Sequence, residues 1–119
     1  MSTFTVPVTL IHPEHRERSV AADLLVDTGS SYILLPPDLV ASLGLATPYE
    51  RRAMLASGER VTYRIGEVRV RIGDEEATAV FLAGPAGCRA LLGAVALEQF
   101  GLAVDPRAGR LIPGPPALL

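Results

Sequence analysis

The sequence predicts a mainly β domain, a small closed barrel with one or two short helices. Seven or more segments alternate apolar and polar residues with the period of two that half-buried strands show. Short turns rich in Gly, Asp and Pro separate most of these segments. The 119 residues suffice for one hydrophobic core and are too few for two. Hydrophobic residues make up 49% of the chain and charged residues 20%, so we expect a packed globule.

Composition and charge argue against several classes of function. The net charge of -2 gives no electrostatic reason to expect nucleic acid or an anionic membrane as a partner. No apolar run approaches the roughly 20 residues that a membrane span needs, and no leader-like segment opens the chain, so a cytoplasmic domain is expected. The lone Cys88 excludes an intrachain disulfide and lacks the His partner typical of a thiol nucleophile.

The N-terminal half predicts three strands and a connecting helix. The strands are the alternating or apolar segments 3–10, 20–26 and 32–35. Pro36, Pro37 and Asp38 form a favourable helix start, because proline suits the first turn and an acid suits the positive end of the helix dipole. Gly44 is a favourable helix end. The helix therefore links the third strand to the second half of the chain.

The C-terminal half predicts two hairpins, a short helix and a tail. The hairpin strands are 51–56 with 59–65, around Ser57 and Gly58, and 68–72 with 77–82, around Gly73 and Asp74. A helix-like stretch then runs to Phe100 and is followed by the apolar segment 101–105. The proline-rich residues 113–119 cannot pack as regular structure and are expected to be a tail.

The segment 23–31 carries the chemistry. Asp27 comes where the second strand ends, and Thr28 can hydrogen-bond nearby backbone. Gly29 permits either a positive φ or a close approach of another backbone. Together these residues predict a tight loop that holds one carboxyl in partly desolvated surroundings. The alternative is an ordinary hairpin turn, in which Asp, Gly and Ser are common.

The context of this loop resembles that of the single-domain, retropepsin-like aspartic proteases, as a cellular or bacterial member. Large aliphatic residues precede Asp27, while Ser30 and Ser31 follow the glycine. A second motif, Leu91-Leu92-Gly93, leads into the short helix-like stretch, as the corresponding segment does in that family. The resemblance implies an acid-protease-type β-barrel domain over residues 1–112, followed by the Pro-rich tail 113–119.

The resemblance also implies roles for individual residues. Asp27 would be the catalytic aspartate, Thr28 would lock two catalytic loops together, and Gly29 and Ser30 would support the loop. The packing behind the site would come from Leu91, Leu92 and Gly93. The hairpin tip would be a flap formed by Ala56, Ser57, Gly58 and Glu59, although an ordinary hairpin reads the same in sequence. Viral members carry Arg and Asn where this chain has Ala94 and Val95, so their dimer contacts are not implied.

Peptide hydrolysis without a metal or a nucleophilic side chain needs two carboxyls that share one proton. Only one Asp-Thr-Gly occurs in the sequence, so the second aspartate must come from another copy of the chain. The prediction is therefore a homodimeric aspartic endopeptidase that acts on a peptide or protein and uses no cofactor and no metal. The alternative is a non-catalytic peptide-binding or structural dimer module on the same fold.

Other polar residues are assigned structural roles. His12 and His15 have no further His or Cys to complete a ligand set, so they predict a solvated turn rather than a metal site. The remaining aspartates lack the loop context and are expected at surfaces or turns; they are Asp23, Asp38, Asp74 and Asp105. Apolar candidates for the site predict mostly apolar substrate side chains; these candidates are Leu25, Ile33, Met54, Leu55, Leu91 and Leu92.

Overall fold

The computed structural model describes residues 3–119 and places nine strands and two short helices in that part of the chain. The mainly β prediction is therefore confirmed. In chain order the elements are β1 (Thr5–Ile11), β2 (Ser19–Val26), β3 (Ile33–Leu35), α1 (Pro37–Leu43), β4 (Tyr49–Met54), β5 (Arg60–Ile72), β6 (Glu75–Ala83), β7 (Leu91–Leu92), α2 (Ala94–Gln99), β8 (Leu102–Asp105) and β9 (Arg110–Pro113).

Six strands form a closed ring. Their hydrogen-bonded order is β1, β2, β7, β3, β6 and β5, and β5 pairs back onto β1 to close the circle. The closing ladder is short and joins residues 9–11 to residues 69–71. Closure removes the free sheet edges that an open sheet would present. The small closed barrel expected from the sequence is therefore present in the described chain.

Two parallel pairings place the segment around Asp27 inside this ring. Strand β2 runs parallel to β7, with Leu25 beside Leu91 and Val26 beside Leu92. Strand β3 runs parallel to β6, whereas the remaining pairs are antiparallel. The loop that follows β2 therefore starts beside β7 and leads to β3, which pairs with β7 as well.

Alternate side chains from the ring fill the core. The fully buried side chains are Leu10, Leu24, Ile33, Leu35, Val68, Val70, Phe81 and Leu92, each with 0% exposure. Helix α2 adds Ala96 and Leu97 to the same cluster, and Phe100 follows directly after its last turn. Burial of this much apolar surface is the main source of stability for so small a domain. It also fixes the strands from which the functional loop emerges.

Helix α1 begins and ends as its sequence predicts. Pro37 lies in the first turn and Asp38 supplies the acidic residue there. Gly44 adopts the left-handed conformation, with φ of 66°, and its N–H donates to the carbonyl of Ala41. Leu43 is the buried residue of the helix. Neither helix within residues 3–119 is long and apolar enough to cross a membrane.

Strand β5 differs from the sequence prediction. Residues 59–65 and 68–72 were expected as two strands, but β5 runs without interruption through Gly66. A β-carbon at Gly66 would overlap the carbonyl oxygen of Ala46 and lie 3.1 Å from the ring of Phe81. The glycine therefore marks a close approach of another backbone segment rather than a break in the strand.

The histidine turn also differs from its prediction. His15 is exposed, but His12 has only 9% exposure, so a fully solvated turn is wrong for that residue. Its Nδ1 atom accepts hydrogen bonds from the backbone N–H groups of Glu14 (3.0 Å) and His15 (3.2 Å). The imidazole thus satisfies the backbone of the β1–β2 turn, a role that residue spacing alone does not reveal.

Candidate active site

Asp27 lies directly after β2 and is half-buried. Its backbone N–H donates to the carbonyl oxygen of Leu92 at 3.0 Å. Two residues earlier, the N–H of Leu25 donates to the carbonyl of Ala90 at 2.9 Å. The parallel ladder between β2 and β7 therefore continues into the loop and sets the direction in which the aspartate leaves the barrel.

The loop holds the carboxyl group by a short backbone contact. The N–H of Gly29 donates to Asp27 Oδ1 at 3.0 Å, and the N–H of Ser30 donates to the Asp27 carbonyl at 3.1 Å. Within residues 3–119, Oδ1 is the only carboxylate oxygen of Asp27 that accepts a hydrogen bond. One oxygen is consequently fixed, and the other remains free for a proton, a water or a substrate.

The structure shows whether Gly29 is needed for a positive φ or for a close approach of other atoms. Gly29 is not among the glycines with positive φ. A β-carbon there would lie 3.2 Å from Asp27 Oδ1, which is a tight contact. Glycine is therefore favoured at this position because the aspartate side chain folds back over it, and the left-handed conformation is not needed.

The local side-chain bond of the loop comes from Ser30 rather than Thr28. Ser30 Oγ donates to the carbonyl of Tyr32 at 2.9 Å. Thr28 is exposed, and no hydrogen bond to its hydroxyl forms within the described chain. The expected bond from Thr28 to nearby backbone is therefore absent there, although the residue is accessible to solvent.

The start of α2 clamps the other side of the loop. The N–H groups of Ala94 and Val95 donate to the carbonyls of Ser30 (2.8 Å) and Ser31 (2.9 Å). These N–H groups belong to the first turn of the helix, where no intrahelical acceptor is available. Ala94 and Val95 thus have an intrachain role that sequence analysis missed, because the bonds use backbone atoms and leave no side-chain signal.

Gly93 permits this close packing. A β-carbon at this position would overlap the carbonyl oxygen of Tyr32 and lie 2.6 Å from that of Ser30. Both obstructing atoms belong to the backbone, so moving them aside would cost stability. The structure therefore brings the Leu91-Leu92-Gly93 segment directly behind the loop that carries Asp27.

The apolar residues predicted near the site divide into three groups. Ile33 and Leu92 have 0% exposure and belong to the core, so they cannot touch a ligand. Leu25 and Leu91 are half-buried beside the loop. Met54 and Leu55 lie on the β4–β5 hairpin, where they are 64% and 37% exposed.

The β4–β5 hairpin projects from the ring. Residues 60–63 of β5 pair only with β4, whereas later β5 residues also pair with β6 or β1. The tip is closed by Leu55 N–H donating to the Glu59 carbonyl and by Gly58 N–H donating to the Leu55 carbonyl, both at 2.8 Å. Gly58 has φ of 89°, and residues 54–60 are exposed. A two-stranded ribbon of this kind has few contacts to hold it in place.

The remaining polar candidates have structural surroundings. Burial raises the pKa of the Cys88 thiol, and the negative charge of Asp38 raises it further, so this cysteine is not activated as a nucleophile. Asp105 Oδ1 accepts hydrogen bonds from the N–H groups of Arg107 (3.0 Å) and Ala108 (3.2 Å), which is a turn role. The side chains of Asp23, Asp38 and Asp74 are exposed.

A groove of about 520 Å³ lies away from the loop that carries Asp27. Its walls include His12, Tyr49, Ile65 and Val80. Asp27 lines neither this groove nor the smaller depression on the β4–β5 hairpin. In a single chain the aspartate therefore lies outside both concavities.

Together, the closed barrel and the clamped Asp-Thr-Gly loop define a small β-barrel protein of the acid-protease type. A family model described as aspartyl protease matches residues 15–94, about two thirds of the chain. The chain therefore belongs to the retropepsin-like aspartic protease family, as its two motifs indicate. No curated protein matches the chain at a significant level. The family match supports a protease function in general terms.

Proposed function

We propose that the protein is an aspartic endopeptidase in which two Asp27 carboxyls, one from each chain of a homodimer, activate the attacking water. The observation that carries the proposal is the fixed carboxyl of Asp27. Its Oδ1 accepts a hydrogen bond from Gly29 N–H at 3.0 Å, and its backbone is tied to Leu92. A preorganised acid of this kind is what general acid–base catalysis requires.

The chemistry divides between the two carboxyls. The ionised carboxyl takes a proton from water as the oxygen of that water attacks the peptide carbonyl carbon. The neutral carboxyl donates its proton to the carbonyl oxygen, so that a tetrahedral intermediate forms. One carboxyl cannot perform both steps at once, and the sequence holds one Asp-Thr-Gly. A two-fold axis that brings two loops together supplies the pair.

Two surface features support a role for the partner chain. The hydroxyl of Thr28 is exposed and forms no bond within residues 3–119, so it is free to bond the loop of a second copy. Asp27 lines neither the groove nor the hairpin depression of the single chain. We assign Thr28 to locking the two loops together and Ser30 to local support.

The β4–β5 hairpin is proposed as the flap. Its tip, residues 56–59, is exposed and is closed by backbone hydrogen bonds around Gly58. Such a ribbon can bend over a bound peptide and exclude water from the reaction. The catalytic domain is proposed to span residues 1–112 and the Pro-rich tail residues 113–119. The start of that tail is anchored, because Pro113 ends β9 opposite Leu102 and the N–H of Gly114 donates to the Gly101 carbonyl at 2.7 Å.

The test compares Asp27 with Asp23, an aspartate on the strand that leads into the Asp27 loop. Asp27→Ala and Asp27→Asn should lower the hydrolysis of an unfolded protein substrate by about 10²- to 10⁴-fold, while circular dichroism stays unchanged. Asp23→Ala is the control, because Asp23 is an exposed residue of β2. Full activity of Asp27→Ala would contradict the proposal. An inert but peptide-binding wild-type dimer would support the non-catalytic module instead.

A further inference from the structure

One face of the β4–β5 hairpin continues the interior side of the barrel. Successive side chains of a strand point to opposite faces, so residues two apart share a face. In the barrel part of β5 the alternate core positions are Gly66, Val68 and Val70, and both valines have 0% exposure. Ile65, at 6% exposure, lies on the other side of the strand, opposite Tyr49. Counting back by two, Arg64, Thr62 and Arg60 lie on that same side of the strand.

The register of β4 adds three more residues to this face. Met54 is opposite Arg60, Arg52 is opposite Thr62, and Glu50 is opposite Arg64. Directly opposed residues of an antiparallel pair project to the same side. We call this set the inner hairpin face; its members are Glu50, Arg52, Met54, Arg60, Thr62 and Arg64.

The inner hairpin face is positively charged. Its three arginines and one glutamate give a formal charge of 3 - 1 = +2, whereas the whole chain carries -2. Arg64 donates to the Thr47 carbonyl through Nε (3.0 Å) and Nη2 (2.6 Å). Arg52 and Arg60 are exposed and form no ion pair with the described residues. Two charges therefore stand on this face without an anionic partner.

Arg52 and Arg60 are also neighbours. They are diagonal partners across the β4–β5 ladder, a relationship that corresponds to roughly 7–8 Å between the two positions. Like charges placed so closely on a sheet face oppose each other. A shallow depression of about 320 Å³ lies between them, lined by Arg52, Ala53, Met54 and Arg60. A carboxylate bound there would neutralise the repulsion and accept hydrogen bonds from two guanidinium groups.

We infer that Arg52 and Arg60 select peptide substrates that carry an acidic side chain near the cleaved bond. The inference rests on the proposed function, because it is the flap role that turns the inner hairpin face toward a bound peptide. It adds an acidic position to the mostly apolar substrate side chains that the sequence predicts. Met54, between the arginines, supplies an apolar contact for the aliphatic part of a glutamate side chain.

The experiment compares two peptides that differ only by Glu or Gln near the cleaved bond. The wild type should have a higher kcat/KM for the Glu peptide, by about tenfold at low salt, and the ratio should fall at high salt. Arg52→Gln and Arg60→Gln should each lower the ratio by about threefold, and the double variant should bring it near one. Arg60→Glu should favour the Gln peptide.

Arg51 provides the matched control. It is an exposed neighbour of Arg52 on the same strand, but it lies opposite Tyr63 on the other face of the hairpin. Arg51→Gln should keep the wild-type Glu-to-Gln ratio. Equal kcat/KM for both peptides in the wild type, or a ratio lowered as much by Arg51→Gln as by Arg60→Gln, would overturn the inference.

A binding measurement separates this inference from the proposed function. Fluorescence anisotropy with the Asp27→Asn protein and the two labelled peptides reports recognition without cleavage. Tighter binding of the Glu peptide that is lost in Asp27→Asn/Arg52→Gln/Arg60→Gln supports the acidic selection even if the wild type cleaves neither peptide. Cleavage of both peptides with equal efficiency and equal binding supports the protease function and rejects the selection.

Discussion

The N–H of Asp27 donates a hydrogen bond to the carbonyl oxygen of Leu92 at 3.0 Å. This bond extends the β2–β7 ladder by one residue beyond Val26. The direction of the aspartate therefore depends on a strand from the far end of the sequence, and a turn built only from neighbouring residues would not fix it. Substitutions behind the loop should consequently affect the site even where they touch no substrate.

Gly93→Ala should damage both stability and the loop that carries Asp27. The new β-carbon would meet the backbone carbonyls of Tyr32 and Ser30, and we expect a loss of about 1–3 kcal/mol or more in the free energy of unfolding. Urea denaturation measures this change.

Gly29→Ala is the comparison for Gly93→Ala. Its β-carbon would meet only Asp27 Oδ1, at 3.2 Å. We expect a small loss of stability and a larger loss of peptidase activity, because the carboxyl must shift while the backbone stays in place. Equal stability losses in both variants would contradict the close packing described for Gly93.

Gly58→Ala should slow turnover more than it lowers the melting temperature. Gly58 has φ of 89° with nothing within 4 Å of a β-carbon, so the substitution introduces backbone strain and no clash. The strain falls on the exposed hairpin tip, where bending over a substrate is proposed.

Gly73→Ala provides the control for that variant. Gly73 has φ of 63°, is equally free of neighbours, and lies between β5 and β6 at the tip of the other hairpin. It should show a comparable change in melting temperature with kcat retained. A similar fall in kcat for both variants would point to a general effect of strain and against a flap.

Association of the proposed dimer should weaken as pH rises. Two carboxylates in contact repel each other, so a dimer that joins two Asp27 side chains is least stable when both are ionised, the state that high pH favours. By linkage, a rise in pH favours the state with fewer protons, which is the monomer. Sedimentation velocity from about pH 4.5 to about pH 8 measures this dependence.

Asp27→Asn should remove that dependence. The amide keeps the shape of the side chain and eliminates both charges, so at neutral pH the variant should associate at least as tightly as the wild type while being inactive. A wild type that is monomeric at every pH yet fully active would exclude the shared site.

Glu76 should contribute to acid stability. Hydrogen bonds from Arg16, which has the larger effect, and from Arg69 lower the pKa of Glu76 to about 2 from an ordinary value of 4.5. Because the folded state holds the lower value, its stabilisation is present above about pH 4.5 and is lost as pH falls toward 2. Glu76→Gln should therefore unfold more easily at neutral pH and lose less stability over that acidic range.

Glu75→Gln is the control for Glu76, since Glu75 is exposed and forms no ion pair within the described residues. Thermal melts at several pH values compare the two variants with the wild type. A parallel acid response in Glu76→Gln and the wild type would remove Glu76 from the account of acid stability.

Local sequence patterns predict much of the fold. Alternation located most of the strands but missed β7 and β9, and the Pro37 start and Gly44 end located α1. Asp27 was expected at a strand end and is found there. These features depend on neighbours within a few residues, so the sequence carries them directly.

The features that were missed depend on distant residues. The burial of His12, the passage of β5 through Gly66 beside Ala46, and the clamp from the backbone of Ala94 arise only when separate segments meet. The positive charge of the inner hairpin face was likewise not predicted, because the residues that share this face are known only from the register of β4 against β5.

The closing ladder also determines when the molecule can become complete during synthesis. Strand β1 pairs with β2, but its second partner is β5, with Leu10 opposite Val70. Strand β7, which holds the Asp27 loop, is later still, at Leu91–Leu92. Pairings so far apart in sequence form slowly. A nascent chain therefore carries Asp27 long before it can order the loop around it, so the proposed site cannot form until almost the whole domain has been translated.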